Sequence, residues 1–300
     1  MAIGRVLGAT AVIGAAGLGY SYVEATRRFV VREFEVPVLP AGARPVRLLH
    51  LSDLHLVPSQ RHKLDWLKSL ADLKPDLVVD TGDNLADAES VGPLVDGLGE
   101  LINVPGVFVF GSNDYFSPKP KLPTKYLAGG TGVDEVGDWE RPRDLPFELL
   151  RRELSAGGWL DLNNSRGELT VNGTRIAFTG VDDPHLRYDK LDNVPADATA
   201  DLRIAVAHAP YLRVLNTFNR AGNELILAGH THGGQLQLPG IGALVTNCDL
   251  DNARANGLHS HQVPGLDPSY LHVSAGAGTS PFAPFRFCCR PEATVLTLTG

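Results

Sequence analysis

Short apolar runs, rich in β-branched residues or closed by turn residues, constrain this chain more than any other feature. They are Val46–Leu51, Leu77–Val79, Val107–Phe110, Ile176–Thr179, Leu202–Ala207, Leu225–Ala228 and Thr294–Leu298. Continuous runs of this kind suit strands covered on both faces. Helical patterns lie between them. Leu64, Leu67, Leu70 and Leu73 share one face, and Phe147, Leu149, Leu150 and Leu154 mark a second helix. Tyr211, Leu212, Val214, Leu215 and Phe218 mark a third. Strands alternating with helices predict an α/β architecture. Glu168–Gly180 and Gly234–Leu238 read as hairpins, so mixed pairing is expected rather than a purely parallel sheet.

The ends of these runs carry the chemistry. Val46–Leu51 leads into Ser52-Asp53-Leu54-His55, and Leu77–Val79 into Asp80-Thr81-Gly82-Asp83-Asn84. Val107–Phe110 leads into Gly111-Ser112-Asn113-Asp114, and Leu202–Ala207 into His208-Ala209-Pro210. Leu225–Ala228 leads into Gly229-His230-Thr231-His232-Gly233-Gly234. Ligands of α/β sheets gather at the carboxyl ends of strands. Residues two apart in an extended segment point the same way, so Asp53 with His55 and His230 with His232 form chelating pairs. Singly, each cluster passes for a turn or a packed histidine. Five in one order, each behind a strand, predict a metal site. The remaining histidines, His62 and His185 among them, read as ordinary surface or loop residues.

Composition narrows the partners. The formal charge of −7, from 27 basic and 34 acidic residues, lacks the basic footprint that nucleic-acid binding requires. Three cysteines, with no C-x-x-C pair, exclude a disulfide framework and a thiolate zinc site. Imidazole with carboxylate suits manganese, iron or zinc.

The amino terminus stands apart. Val6–Val23 holds 18 residues without a charge, about 27 Å as a helix, against a hydrocarbon core of about 30 Å. Three readings are open: an uncleaved anchor, a cleaved export signal, and a soluble helix. The anchor is carried forward as residues 1–26, with membrane localisation and either face allowed. Arg27, Arg28 and Arg32 after the run, against Arg5 before it, favour a cytoplasmic domain. Residues 27–43, punctuated by Pro37 and Pro40, read as an extended linker. The main domain spans 44–300, with an insertion at 117–146 rich in proline and glycine. Tyr115 and Phe116 beside that insertion suggest an apolar lid.

From Arg44 to Gly300 the ordered motifs D-x-H, G-D, G-S-N-D, H and G-H-x-H resemble the calcineurin-like metallophosphoesterases. Gly229–Gln235 and Gly276–Pro281 resemble their membrane-associated bacterial branch. The resemblance implies a four-layer sandwich of two mixed β-sheets flanked by helices, here preceded by one hydrophobic helix. It implies two divalent metal ions, with Asp53, His55 and His232 on the first, His208 and His230 on the second, and Asp83 bridging. It further implies that a hydroxide shared by the two metals hydrolyses a phosphoric ester. A phospholipid or lipid-linked nucleotide is one substrate expectation, and the protein is expected to act as a monomer.

Two departures bear on mechanism. The family's third motif is Gly-Asn-His. Here Ser112 takes the metal-ligating position and Asn113 the place of a proton-donating histidine, so Asn113 and His208 are the candidate catalytic positions. A shifted loop would instead make Asn113 the ligand. Ala86 replaces an acidic residue, for which Asp87 could substitute behind the ligands. The contrasting function is a non-catalytic scaffold that retains the fold. A nuclease is disfavoured by charge.

Overall fold

The computed structural model describes residues 2–120, 142–191 and 198–300, with side chains from residue 14 onward. Val46–Leu51 shows why its run is apolar. Val46 and Leu48 face a core shared with Ile176, Ile204 and Leu227, whereas Leu49 and Leu51 face helices on the other side. A strand covered on both faces has no solvent side on which polar residues would alternate.

Two six-stranded mixed sheets result. The first runs in the order β1 (Val30–Pro37), β14 (Glu292–Thr299), β2 (Val46–Leu51), β3 (Leu77–Asp80), β4 (Gly106–Phe108), β5 (Leu160–Asp161). β2 to β5 are parallel, and β14 is antiparallel to β2. The second runs in the order β12 (Gly257–His261), β13 (Ser269–Val273), β9 (Leu225–Ala228), β8 (Leu202–Val206), β7 (Thr174–Gly180), β6 (Arg166–Val171). Its four inner strands are parallel, and β12 and β6 are antiparallel edges. A small hairpin, β10 (Gln237–Leu238) with β11 (Gly242–Ala243), stands outside both sheets.

Helices close the outer faces. Leu67 of α2 (Arg61–Ser69), Leu94 and Leu98 of α3 (Val91–Leu98), and Leu150 and Leu154 of α5 (Phe147–Ala156) pack on the first sheet. Val214, Leu215 and Phe218 of α6 (Leu212–Arg220) pack on the second, each burial contributing roughly 1.5–3 kcal/mol. α4 (Ser112–Tyr115) is a single turn behind β4. The four layers and mixed pairing agree with the expectation from sequence.

Two sequence readings change, and a third is met only in part. Val30–Pro37, read as linker, is an edge strand paired in parallel with β14. Arg32, Glu33 and Glu35 hid it, because an edge strand carries charges where an inner strand cannot. Tyr115 and Phe116 are not a lid. Both are buried in the first core, where the Tyr115 hydroxyl donates to Asp182 Oδ1 at 2.8 Å. Residues 121–141 of the insertion lie outside the described residues. Its ends meet where the Ser117 backbone N–H and hydroxyl donate to the Asp144 carboxylate, at 2.7 and 2.5 Å.

The third concerns α1 (Ala2–Arg27). The anchor reading leans on side chains before residue 14, which lie outside the described residues. Among the described residues, no helix is long and apolar enough to cross a membrane. From Ser21 onward α1 is docked on the domain. Ser21 O accepts from Arg286 N at 3.0 Å, and buried Glu24 accepts from Cys289 N at 2.8 Å.

Candidate metal centre

Parallel strands deliver their carboxyl ends to one rim, where six of the seven ligand candidates lie; the seventh, Ser112, opens α4 after β4. Asp53 and His55 follow β2, Asp83 follows β3, His208 follows β8, and His230 and His232 follow β9. Cross-strand hydrogen bonds lock the loops. Asp53 N donates to Gly82 O at 2.8 Å, and His55 N to Asp83 O at 2.9 Å. Asp53, His55, Asp83, His230 and His232 all have φ between 41 and 69°. Side chains other than glycine rarely adopt that conformation, and strain of this kind concentrates at functional sites. Glycine is needed alongside. A Cβ on Gly111 would lie 2.3 Å from Asp83 Oδ1, and one on Gly276 (φ +68°) 2.5 Å from Asp53 Cβ.

The donor atoms form two clusters sharing Asp53: Asp53, His55, His232 and Asp53, Asp83, His208. Asp83 Oδ2 lies 3.4 Å from His55 Nε2 and 3.5 Å from His208 Nε2. Asp53 Oδ2 accepts from Ser52 Oγ and His230 N. Its Oδ1 is buried without a hydrogen-bond partner, 3.7 Å from His232 Nε2.

Backbone carbonyls set the tautomers. His208 Nδ1 donates to Thr81 O at 2.7 Å, His232 Nδ1 to Gly278 O at 3.1 Å, and His230 Nε2 to Asn247 O at 3.2 Å. The opposite nitrogens then face inward as acceptors. His232 Nε2 meets His55 Nε2 at 3.2 Å, and His230 Nδ1 meets His208 Nε2 at 3.3 Å. Facing lone pairs around an orphaned carboxylate oxygen repel unless a cation or a proton lies between them. These residues fit divalent metal ions.

Electrostatics agree. Burial pushes His55 and His230 well below the usual histidine range, and His232 down to about 3, so all three are neutral donors. Burial raises Asp83 to about 7. For His208 burial acts downward, but Asp83, Asp53 and Asp183 outweigh it and lift the imidazole to about 9. A cation must displace that proton. Metal affinity is therefore expected to rise about tenfold per pH unit between about 7 and 9, where it levels off, and more steeply below about 7, where Asp83 must also lose its proton. Calorimetry with manganese, in buffers of different ionisation heat, would read the proton release.

Behind the ligands lie supports that local sequence did not disclose. The Asp114 carboxylate accepts from the N–H groups of Asp83, Asn84 and Gly111 at 2.8–2.9 Å, clamping two site loops. Its place in the third motif was the available signal. Between the sheets, His50 Nδ1 lies 2.8 Å from His272 Nδ1, and His50 Nε2 lies 3.0 Å from Thr81 Oγ1. Thr81 donates to Ser52 at 2.6 Å, and Ser52 to Asp53 at 2.5 Å. Because Thr81 already donates onward, His50 Nε2 carries the proton and the chain of hydrogen bonds runs one way, towards Asp53.

His185 corrects a sequence reading. It is no ordinary loop residue: its ring centroid lies 4.8 Å from that of His230, and its Nδ1 3.0 Å from the Tyr211 hydroxyl. Asp183, also unpredicted, is fully buried beside it, and burial raises it to about 7. Asp87 is not a support for the ligands. Its carboxylate accepts from Glu89 N in a local turn. Asn113 reaches the site through its backbone, donating to Asp83 Oδ1 at 2.7 Å, while its side-chain Nδ2 donates to Phe116 O at 2.9 Å. Ser112 O accepts from Phe116 N.

Residues 46–234, which contain all seven ligand candidates, match the calcineurin-like phosphoesterase family. The chain belongs to that family. As a metallophosphoesterase it is a phosphoric ester hydrolase. It is 26% identical to the uncharacterized metallophosphoesterase YkuE of Bacillus subtilis, covering 94% of this chain and 91% of that one. It is 24% identical to the phosphodiesterase YaeI of Escherichia coli, covering 98% of each. A transmembrane protein with metallophosphoesterase domain from Danio rerio is 30% identical, over 72% of this chain and 47% of that protein. The solved structure of TT1561 from Thermus thermophilus is similar at a TM-score of 0.42 and 12% identity, covering 78% of this chain and 91% of that one.

Proposed function

We propose that this metallophosphoesterase hydrolyses phosphodiesters with stable leaving groups at a centre of two divalent transition-metal ions. The observation that carries the reading is Asp83 Oδ2, set between His55 and His208 with inward-facing imidazole nitrogens on either side. Asp53, His55 and His232 would hold one ion, His208 and His230 the other, and Asp83 both, with the Ser112 hydroxyl completing the second. Such ions supply charge for the phosphoryl oxygens and acidify water.

The chain's own groups contribute orientation. Thr81 O, Asn247 O and Gly278 O fix three imidazoles, Asp114 fixes the Asp83 and Gly111 loops, and the one-way hydrogen-bond chain fixes Asp53. Asn113 has no proton to give a leaving alkoxide. That supports esters whose leaving group departs unaided, such as aryl or pyrophosphate-type esters, and the name of the E. coli relative supports a diester. Relatives named as transmembrane proteins support membrane attachment through α1, with a lipid-linked substrate and a monomeric enzyme as the finer reading.

Manganese-loaded protein is expected to hydrolyse bis(p-nitrophenyl) phosphate, to lose that activity with a chelator, and to regain it with manganese or zinc. Fully loaded protein that turns over no phosphoester would support the scaffold reading instead. An Asn113→His variant is expected to speed alkyl-ester hydrolysis by ~10²-fold with its metals retained. Loss of one metal, with all substrates slowed alike, would make Asn113 a ligand.

A further inference from the structure

Three stretches without a charged residue meet beside His232. They are Gly233–Cys248, Val273–Phe285 and, at Tyr20 and Ser21, the end of the uncharged stretch of α1. Phe287 joins them. Its N–H donates to Gln235 O at 3.0 Å, its carbonyl accepts from Gln237 N at 2.9 Å, and its ring meets Tyr20 of α1 edge-on with centroids 5.6 Å apart. Gln235 Nε2 ties in the second stretch by donating to the carbonyls of Ala283 and Phe285, both at 2.8 Å.

This rim exposes large apolar side chains. Ile241 is 73% exposed, Leu18 60%, Phe282 54% and Tyr22 50%, with Leu238 and Leu244 just under two-fifths exposed. Ile241 is the foremost. It sits at the tip of the β10–β11 hairpin between Gly240 and Gly242, whose φ angles of +80° and +88° make the turn. Large apolar side chains left exposed on loops that hydrogen bonds tie together mark an interaction site. Exposed Arg27 and Arg28 fringe it, with Arg290 donating to the carbonyls of Arg28 and Phe29.

We propose that this rim docks on an anionic lipid surface, so that the adjoining metal centre draws its phosphoester from a lipid headgroup. The headgroup chemistry rests on the function proposed above, whereas the docking does not. Two observations select a bilayer over a protein partner. The uncharged stretch of α1 leaves from the same rim, and the flanking arginines complement anionic lipid.

The test uses the full chain carrying Ile241→Trp, with vesicles of phosphatidylglycerol and phosphatidylcholine, or of phosphatidylcholine alone. With the anionic vesicles, the added tryptophan emission is expected to shift to the blue and to be quenched by brominated acyl chains. An Ile241→Asp, Phe282→Asp double variant is expected to hydrolyse a vesicle-borne phosphodiester at least tenfold more slowly, with soluble bis(p-nitrophenyl) phosphate hydrolysis unchanged. No emission change with either vesicle overturns the docking. So does a shift that needs only higher protein concentration, which would assign the rim to a second copy. Equal slowing of both substrates overturns lipid delivery. Absence of turnover on every substrate refutes the chemistry alone, because the emission reading still decides the docking.

Discussion

An Asp83→Asn protein is expected to lose bound metal and at least ~10³-fold in phosphoesterase activity, while its metal-free form melts no lower than the wild type. The loss follows from one atom. Asp83 Oδ2 lies between His55 Nε2 and His208 Nε2, so an amide there removes a negative charge that faces an imidazole of each cluster. Removing a single preorganised electrostatic group typically costs about 10²–10³ in rate, and this one also holds the metals. Stability moves the other way. Burial already disfavours the Asp83 carboxylate, raising it to about 7, and the amide carries no charge to desolvate. Its oxygen can still accept from Asn113 N, and without the Asp83 charge that keeps it protonated His208 gives up its proton, so the amide nitrogen can donate to the facing imidazoles. Residual metal by mass spectrometry, activity on a diester, and paired melting curves with and without chelator would read all three effects. A chain that kept full activity would remove Asp83 from the centre.

The second large effect is expected at Arg286, which is fully buried although it is a charged side chain. Its Nη2 donates to the carbonyls of Ala275, Gly276 and Gly278 at 2.6, 3.1 and 2.7 Å. Its Nη1 reaches His232 O at 3.4 Å. The guanidinium therefore holds the loop after β13 against the loop that carries His232. Gly278 O is also the acceptor that orients His232. Arg286→Ala leaves Ala275 O without a donor, at about 1–3 kcal/mol, takes one of two donors from Gly276 O and Gly278 O at a smaller cost each, and opens a void that water only partly fills. We expect a loss of about 3–5 kcal/mol, which lowers the melting temperature by roughly 10 °C in a domain of this size. Metal affinity is expected to fall about 10–100-fold, as for other groups that orient a ligand. Arg286→Lys should be milder in melting but not in affinity, because an ammonium cannot span the same fan of carbonyls. Denaturant titration and metal titration of both variants would separate packing from orientation.

The centre was legible because its residue types occur where α/β strands end. Asp53, His55, Asp83, His208, His230 and His232 each follow an apolar run, and the structure brings all six to one rim. The supports were not legible. Asp114 reaches back to Asp83 and Asn84 across the first sheet, His185 reaches His230 from the loop after β7, and Glu24 reaches Cys289 from the opposite end of the chain. His185 and Glu24 have no local periodicity or spacing that distinguishes them from solvated residues, and Asp114 had only its place in the third motif. β1 was missed for a related reason: its partner, β14, is the last strand in the sequence.

What the sequence by itself determined is the strand-and-helix alternation, the ligand types at the strand ends, and a motif order whose family resemblance implies the sandwich. Those properties are local, carried by side-chain identity and by a burial pattern that repeats within a few residues. What only the tertiary structure decided is which nitrogen of each histidine faces the centre, which oxygen of Asp53 stays unpartnered, and which apolar loops share its rim. Each of those depends on an acceptor or neighbour from a distant segment. Thr81 serves His208, Asn247 serves His230 and Gly278 serves His232, and a hydrogen bond is specified only once folding has set its two ends together.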